Sequence, residues 1–140
     1  MPSESNPARE DGPTTVDGLL AEARARLRRL TPSEARAAAQ GGALLIDIRA
    51  ESQRERDGVI PGARYIARNV LEWRCDVSSE WRDPAVASEP GQRLIVFCDE
   101  GYQSSLVAAT LQRLGHADAT DLIGGFQAWR AEGLEVRPGE

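Results

Sequence analysis

The stretch Leu94-Ile95-Val96-Phe97-Cys98-Asp99-Glu100-Gly101-Tyr102-Gln103-Ser104-Ser105 decides the fold. Four apolar residues run into a cysteine, a short polar loop follows, and helical spacing resumes from about Gln103 to Leu114, with Gly115 as its stop. So short an unbroken apolar run reads as a strand covered on both faces, and a helix directly after it reads as a parallel α/β unit. In open α/β sheets the ligand crevice lies at the carboxyl ends of the strands, so Cys98 is expected to face it. Gly101 permits positive φ, which lets the loop curl its backbone N–H groups toward the sulfur. The following helix points its positive end the same way. Both features favour negative charge in the loop, which is the setting of a reactive cysteine. The alternative is an inert buried thiol, since free cysteine is commonly buried. The order strand, cysteine, turn, helix favours the reactive reading.

Working outward, Ala43 to Ile48 is a second apolar run, broken only by Asp47, and Arg64 to Ile66 and Asp121 to Ile123 are weaker strand candidates. Thr31-Pro32-Ser33-Glu34 reads as a capping box with proline in the first turn, opening a helix that Gly41-Gly42 closes. Further helices are expected over Glu51 to Arg56, Asn69 to Arg74 and Gly125 to Glu132, and a loop over Asp83 to Gln92. Strands alternating with helices predict an α/β fold: one domain, a central parallel β-sheet, helices on both faces. Upstream, residues 1–13 lack periodicity and read as a disordered tail. Residues 14–30 read as an N-terminal helical extension. Thr14-Thr15-Val16-Asp17 looks like a capping box, and Val16, Leu19, Leu20, Ala23, Leu27 and Leu30 form one stripe. Arg24, Arg26, Arg28 and Arg29 then form a basic cluster, taken here as a solvated face rather than a partner-binding arm.

Composition narrows the function. All 17 basic residues are arginine, and a net charge of −5 argues against a general nucleic-acid binder. No apolar stretch approaches a membrane span, and the polar, acidic start does not read as an export signal. A reducing cytoplasm is the expected compartment, with Cys75 and Cys98 as free thiols. Neither cysteine sits in a metal-ligand spacing, so no metal or other cofactor is expected.

Four pieces together resemble the rhodanese-like domain over about residues 31–136. They are Leu44-Leu45-Ile46-Asp47-Ile48-Arg49, Val59-Ile60-Pro61-Gly62-Ala63, the loop from Cys98, and Leu122-Ile123-Gly124-Gly125-Phe126-Gln127-Ala128-Trp129. The resemblance implies sulfur transfer: Cys98 would take a sulfane sulfur from a small donor, hold it as a persulfide, and pass it to a thiol or other nucleophile. Asp99, Glu100, Gly101, Tyr102, Gln103 and Ser104 would form the substrate-binding loop, with Asp47 and Arg49 as its structural support. The family's loop reads Cys-x-x-Gly-x-Arg, whereas here Gln103 holds the arginine position and Asp99 and Glu100 add negative charge. Like charges disfavour an ionised group, so a donor other than thiosulfate is expected. Arg68 and Arg74, after Pro61-Gly62-Ala63, are candidate anion-binding residues, with surface positions the equal alternative.

Cys75, after Trp73-Arg74, is a candidate resolving thiol for Cys98. His116, after a glycine turn, is expected at the surface, and Trp73, Trp81 and Trp129 in the core or a groove wall. Two further functions compete with the sulfurtransferase. A non-catalytic binding module is favoured by the altered loop and opposed by the retained cysteine. A cysteine phosphatase or arsenate reductase needs arginine six positions after the cysteine, where this chain has Ser104.

Overall fold

The computed structural model describes residues 12–88 and 92–139. Four parallel strands, β1 (Leu44–Asp47), β2 (Arg64–Tyr65), β3 (Leu94–Phe97) and β4 (Thr120–Asp121), lie in the order β2-β1-β3-β4. The two apolar runs pair along their whole length, Leu44 with Leu94 through Asp47 with Phe97. Alternation divides them between two cores. Leu45, Ile95 and Phe97 pack with Ala35, Phe126 and Trp129 on one face. Ile46, Leu94 and Val96 pack with Leu71, Cys75, Val107 and Leu111 on the other. The first face carries α2 (Pro32–Gln40) and α6 (Gly125–Ala131), and the second carries α4 (Leu71–Cys75) and α5 (Gln103–Arg113). Between β1 and β2 runs α3 (Glu51–Asp57), and a 3-10 turn at Arg68–Val70 leads into α4. No helix among the described residues is long and apolar enough to cross a membrane.

Thr31 caps α2 as expected: its hydroxyl accepts from the Glu34 N–H, and the Glu34 carboxylate accepts from the Thr31 N–H. At α1 (Val16–Arg24) the hydroxyl of Thr15 accepts from the Gly18 N–H, a cap without the reciprocal half of a box. The extension is also less helical than its apolar stripe predicts. Leu30 lies alongside β4 and Leu122, donating to the Asp121 carbonyl at 3.1 Å and accepting from the Ile123 N–H at 2.8 Å. That pairing, with Thr31 extended before Pro32, draws the chain out of the helix after Arg24. Of the expected tail, residues 1–11 lie outside the described residues; the expected loop from Asp83 is described to Ser88 and is made of turns.

Candidate active site

Cys98 follows β3 directly and is 3% exposed, its side chain on the α5 face of the sheet. The Gly101 N–H points at its sulfur, N···Sγ 3.2 Å. That turn needs glycine: Gly101 has φ +89°, and a Cβ there would stand 2.8 Å from the Gly124 nitrogen. The first turn of α6 holds the loop from the opposite side. The N–H groups of Phe126 and Gln127, which a helix start leaves without intrahelical partners, donate to the Cys98 carbonyl at 2.9 Å and the Asp99 carbonyl at 3.1 Å. Gly125 permits the approach, because a Cβ there would lie 2.6 Å from the Cys98 oxygen.

Asp47 and Arg49 sit beneath α6. Arg49 is buried and donates to both Asp47 oxygens, Nε–Oδ1 3.1 Å and Nη2–Oδ2 2.8 Å, and to the Gly58 carbonyl at 2.8 Å. Its guanidinium lies 3.8 Å from the centroid of the Phe126 ring. The pair therefore fastens β1 to the helix that cradles the loop.

The acidic residues of the loop differ in setting. Asp99 accepts from the Gln127 side chain at 2.9 Å, and the same amide donates to Asp57 at 3.1 Å. Arg56 bonds Asp57 and lies within the field of Asp99. Its hydrogen bond holds the Asp57 carboxyl well below the usual carboxylate range, against an opposing desolvation effect. Glu100, Tyr102 and Gln103 are exposed, whereas Ser104 is buried and donates to Asp121 Oδ2 at 2.7 Å. Ser104 therefore braces the base of the loop rather than its mouth.

Arg68 bonds Glu72 one turn along, at 3.2 and 3.3 Å. Arg74 donates to the Trp81 carbonyl at 3.0 Å and lines a surface cavity with Arg64, Trp81 and Asp83. Among the described residues, Arg24 and Arg29 bond the loop directly, both donating to the Gly101 carbonyl. They came from the cluster expected to be a solvated face; Arg26 and Arg28 of that cluster are exposed. No local pattern separates Arg24 and Arg29 from their exposed neighbours, and periodicity does not identify a carbonyl partner 77 residues away.

Three expectations are corrected. His116 is 8% exposed rather than at the surface, because the turn at Gly115 folds it onto the end of α4, with Nε2 2.6 Å from the Cys75 carbonyl oxygen. Trp73, 56% exposed, is at the surface rather than in the core or a groove wall; Trp81, 62% exposed, does stand in the wall of the cavity that Arg74 lines, and Trp129 is buried, donating to the Glu135 carbonyl at 2.9 Å. Cys75 is fully buried, and burial, with Asp83 and Glu72 adding, pushes its thiol up to about 12, which suits packing and not exchange. Among the described residues no group of three or more His, Cys, Asp or Glu is placed to hold a metal ion.

A cysteine at the carboxyl end of a central parallel strand, opening a loop whose Gly101 N–H points at its sulfur, defines a cysteine-loop α/β protein. The chain belongs to the rhodanese-like domain family, whose model matches residues 31–132. The thiosulfate sulfurtransferase GlpE of Stutzerimonas stutzeri is 31% identical over 103 residues, 74% of this chain and 84% of that one. GlpE of Pseudomonas aeruginosa is 31% identical over 104 residues, with the same coverage. These relatives place the chain in a sulfurtransferase family. A solved structure from Rhodopseudomonas palustris, of a protein of unknown function described as a possible tyrosine phosphatase, superposes with TM-score 0.79 at 31% identity. It covers 89% of this chain and 98% of its own. The polysulfide-sulfur transferase homodimer of Wolinella succinogenes shares the fold, with TM-score 0.67, 23% identity, and 89% and 85% coverage. The arginine position of a phosphatase loop is here Ser104, buried on Asp121.

Proposed function

We propose that this protein is a sulfurtransferase that carries sulfane sulfur as a persulfide on Cys98, loaded by a donor other than thiosulfate. The observation that carries the reading is the Gly101 N–H directed at Sγ from 3.2 Å, in a loop that α6 holds from behind. The Cys98 thiolate attacks the outer sulfur of a small-thiol persulfide. The donor S–S bond breaks, its thiolate leaves with the electron pair, and the Cys98 persulfide forms. An acceptor thiolate then attacks the outer sulfur and returns Cys98 as thiolate, with no net oxidation. A persulfide donor brings one charge at sulfur where thiosulfate brings two, to a loop with Gln103 at the arginine position and Glu100 exposed.

Intact mass spectrometry after exposure to a small-thiol persulfide should show one added sulfur on the native chain and on Cys75→Ser, and none on Cys98→Ser. Sulfur gained by Cys98→Ser would reassign the carrier. No gain by any variant would favour a non-catalytic binding module, the second reading, which the exposed Trp73 and Trp81 support.

A further inference from the structure

Two arginines from outside the matched residues 31–132 converge on one oxygen of the active loop. Arg24 Nη2 donates to the Gly101 carbonyl at 2.8 Å, and Arg29 Nη2 donates to the same carbonyl at 2.9 Å. Each is anchored a second time. Arg24 Nε donates to Ser105 Oγ at 3.0 Å, and Arg29 Nε donates to Asp121 Oδ1 at 2.8 Å. The hydroxyls of Ser104 and Ser105 both donate to Asp121 Oδ2 at 2.7 Å, and all three residues are fully buried. Arm, loop, α5 and β4 thus share one hydrogen-bonded network.

The network has a geometric consequence for the loop that carries the Gly101 N–H to the sulfur. A peptide unit is planar and trans, so drawing the Gly101 carbonyl toward the arm directs the Tyr102 N–H away from it. Glycine by itself populates several backbone conformations, and a loop turning on Gly101 needs an external hold to keep one. Two fixed guanidinium forks supply that hold and set positive charge against a loop whose own arginine position is Gln103.

We propose that Arg24 and Arg29 are positioning residues of the active loop, which makes the N-terminal arm a working part of the site. The inference rests on the reading of Cys98 as the sulfur carrier.

The test uses the full chain, with two readouts: persulfide loading of Cys98 from a small-thiol persulfide, and iodoacetamide alkylation of Cys98 at fixed pH. Arg24→Ala is the primary variant, because it leaves the Arg29–Asp121 ion pair in place. Loss of a charge-assisted hydrogen bond predicts loading at saturating donor roughly tenfold slower, with KM little changed, and alkylation severalfold slower. Arg24→Lys should recover only part of the rate, since one ammonium cannot reproduce a fork reaching Ser105 and Gly101 together. Arg26→Ala and Arg28→Ala, at exposed positions of the same arm, should load at the native rate. Native rates in Arg24→Ala by both readouts, with the fold intact by circular dichroism, would overturn the proposal, as would an equal loss in Arg26→Ala. If no donor adds sulfur to the native chain while alkylation still responds to Arg24→Ala, the carrier reading fails and the positioning role stands.

Discussion

Cys98 and Cys75 belong to one apolar cluster, yet their surroundings separate their chemistry. Cys98 has a backbone N–H on its sulfur and a loop that opens to solvent at Glu100, Tyr102 and Gln103. Cys75 is enclosed by the core, and its neighbours Asp83 and Glu72 add negative charge to the burial that already raises its thiol to about 12. At pH 8 such a thiol is thiolate in about one molecule in ten thousand, and the thiolate is the nucleophile. Iodoacetamide at pH 8 should therefore label one cysteine in the folded protein, Cys98, and two in urea, as peptide mass spectrometry would show. Labelling of Cys75 at a comparable rate in the folded state would contradict its enclosure. Gln103 sets the other residue-level expectation. Because it is exposed at the start of α5, an arginine there can reach into the mouth of the loop without repacking the core. Gln103→Arg should raise thiosulfate turnover to cyanide at least roughly tenfold, the size of one charge-assisted hydrogen bond, and raise turnover of a small-thiol persulfide less. Equal gains with both donors would show that donor charge is not what the native loop discriminates.

Among the elements, α6 does the most for the site, and it does so through glycine. At Gly125, φ is +61° and a Cβ would meet the carbonyl oxygens of Cys98 and Asp99 at 2.6 and 2.7 Å, backbone atoms that cannot swing aside. Gly125→Ala should destabilise the protein by about 2–3 kcal/mol, from left-handed strain plus the shift of the loop. It should also slow persulfide loading, because the loop carbonyls would lose the N–H groups of Phe126 and Gln127. Urea unfolding and loading kinetics check the two effects, and loading that stays native would mean the loop does not depend on α6. Elements whose signals are local were legible in the sequence. The capping box at Thr31, the stops at Gly41 and Gly115, and the two apolar runs define their own ends within a few residues. The need for glycine at 125 was legible only through the family resemblance, since it arises from the carbonyls of Cys98 and Asp99, far upstream in the chain. What stayed hidden depends on long-range packing. Leu30 leaves its helical stripe for Leu122, His116 is buried by α4, and Arg24 and Arg29 find a carbonyl that no local pattern announces.

At the scale of the molecule, the question is whether the arm of residues 12–30 is an appendage or part of the cooperative unit. Three observations make it part of the unit. Leu30 is hydrogen-bonded on both sides to the segment from β4, Ala23 is buried, and Asp121 ties Arg29 to the hydroxyls of Ser104 and Ser105 beneath the loop. Asp121 is the shared member: fully buried, it meets the arm on one side and α5 on the other. Removing one partner of a buried ion pair costs roughly 3 kcal/mol or more, because the remaining charge is left without its counter-ion. Asp121→Asn keeps the shape and removes the charge, so it should lower the melting temperature by about 10 °C for a chain of this size. Amide hydrogen exchange then separates an appendage from a cooperative part. In the native protein the N–H groups of Leu30 and Ile123 should be protected to the same degree as those of β3, because opening the arm means opening β4. In Asp121→Asn they should exchange well before Val96 does. Arm amides that exchange freely in the native protein, with β3 still closed, would make the arm an appendage and leave the loop to be held by α6 alone.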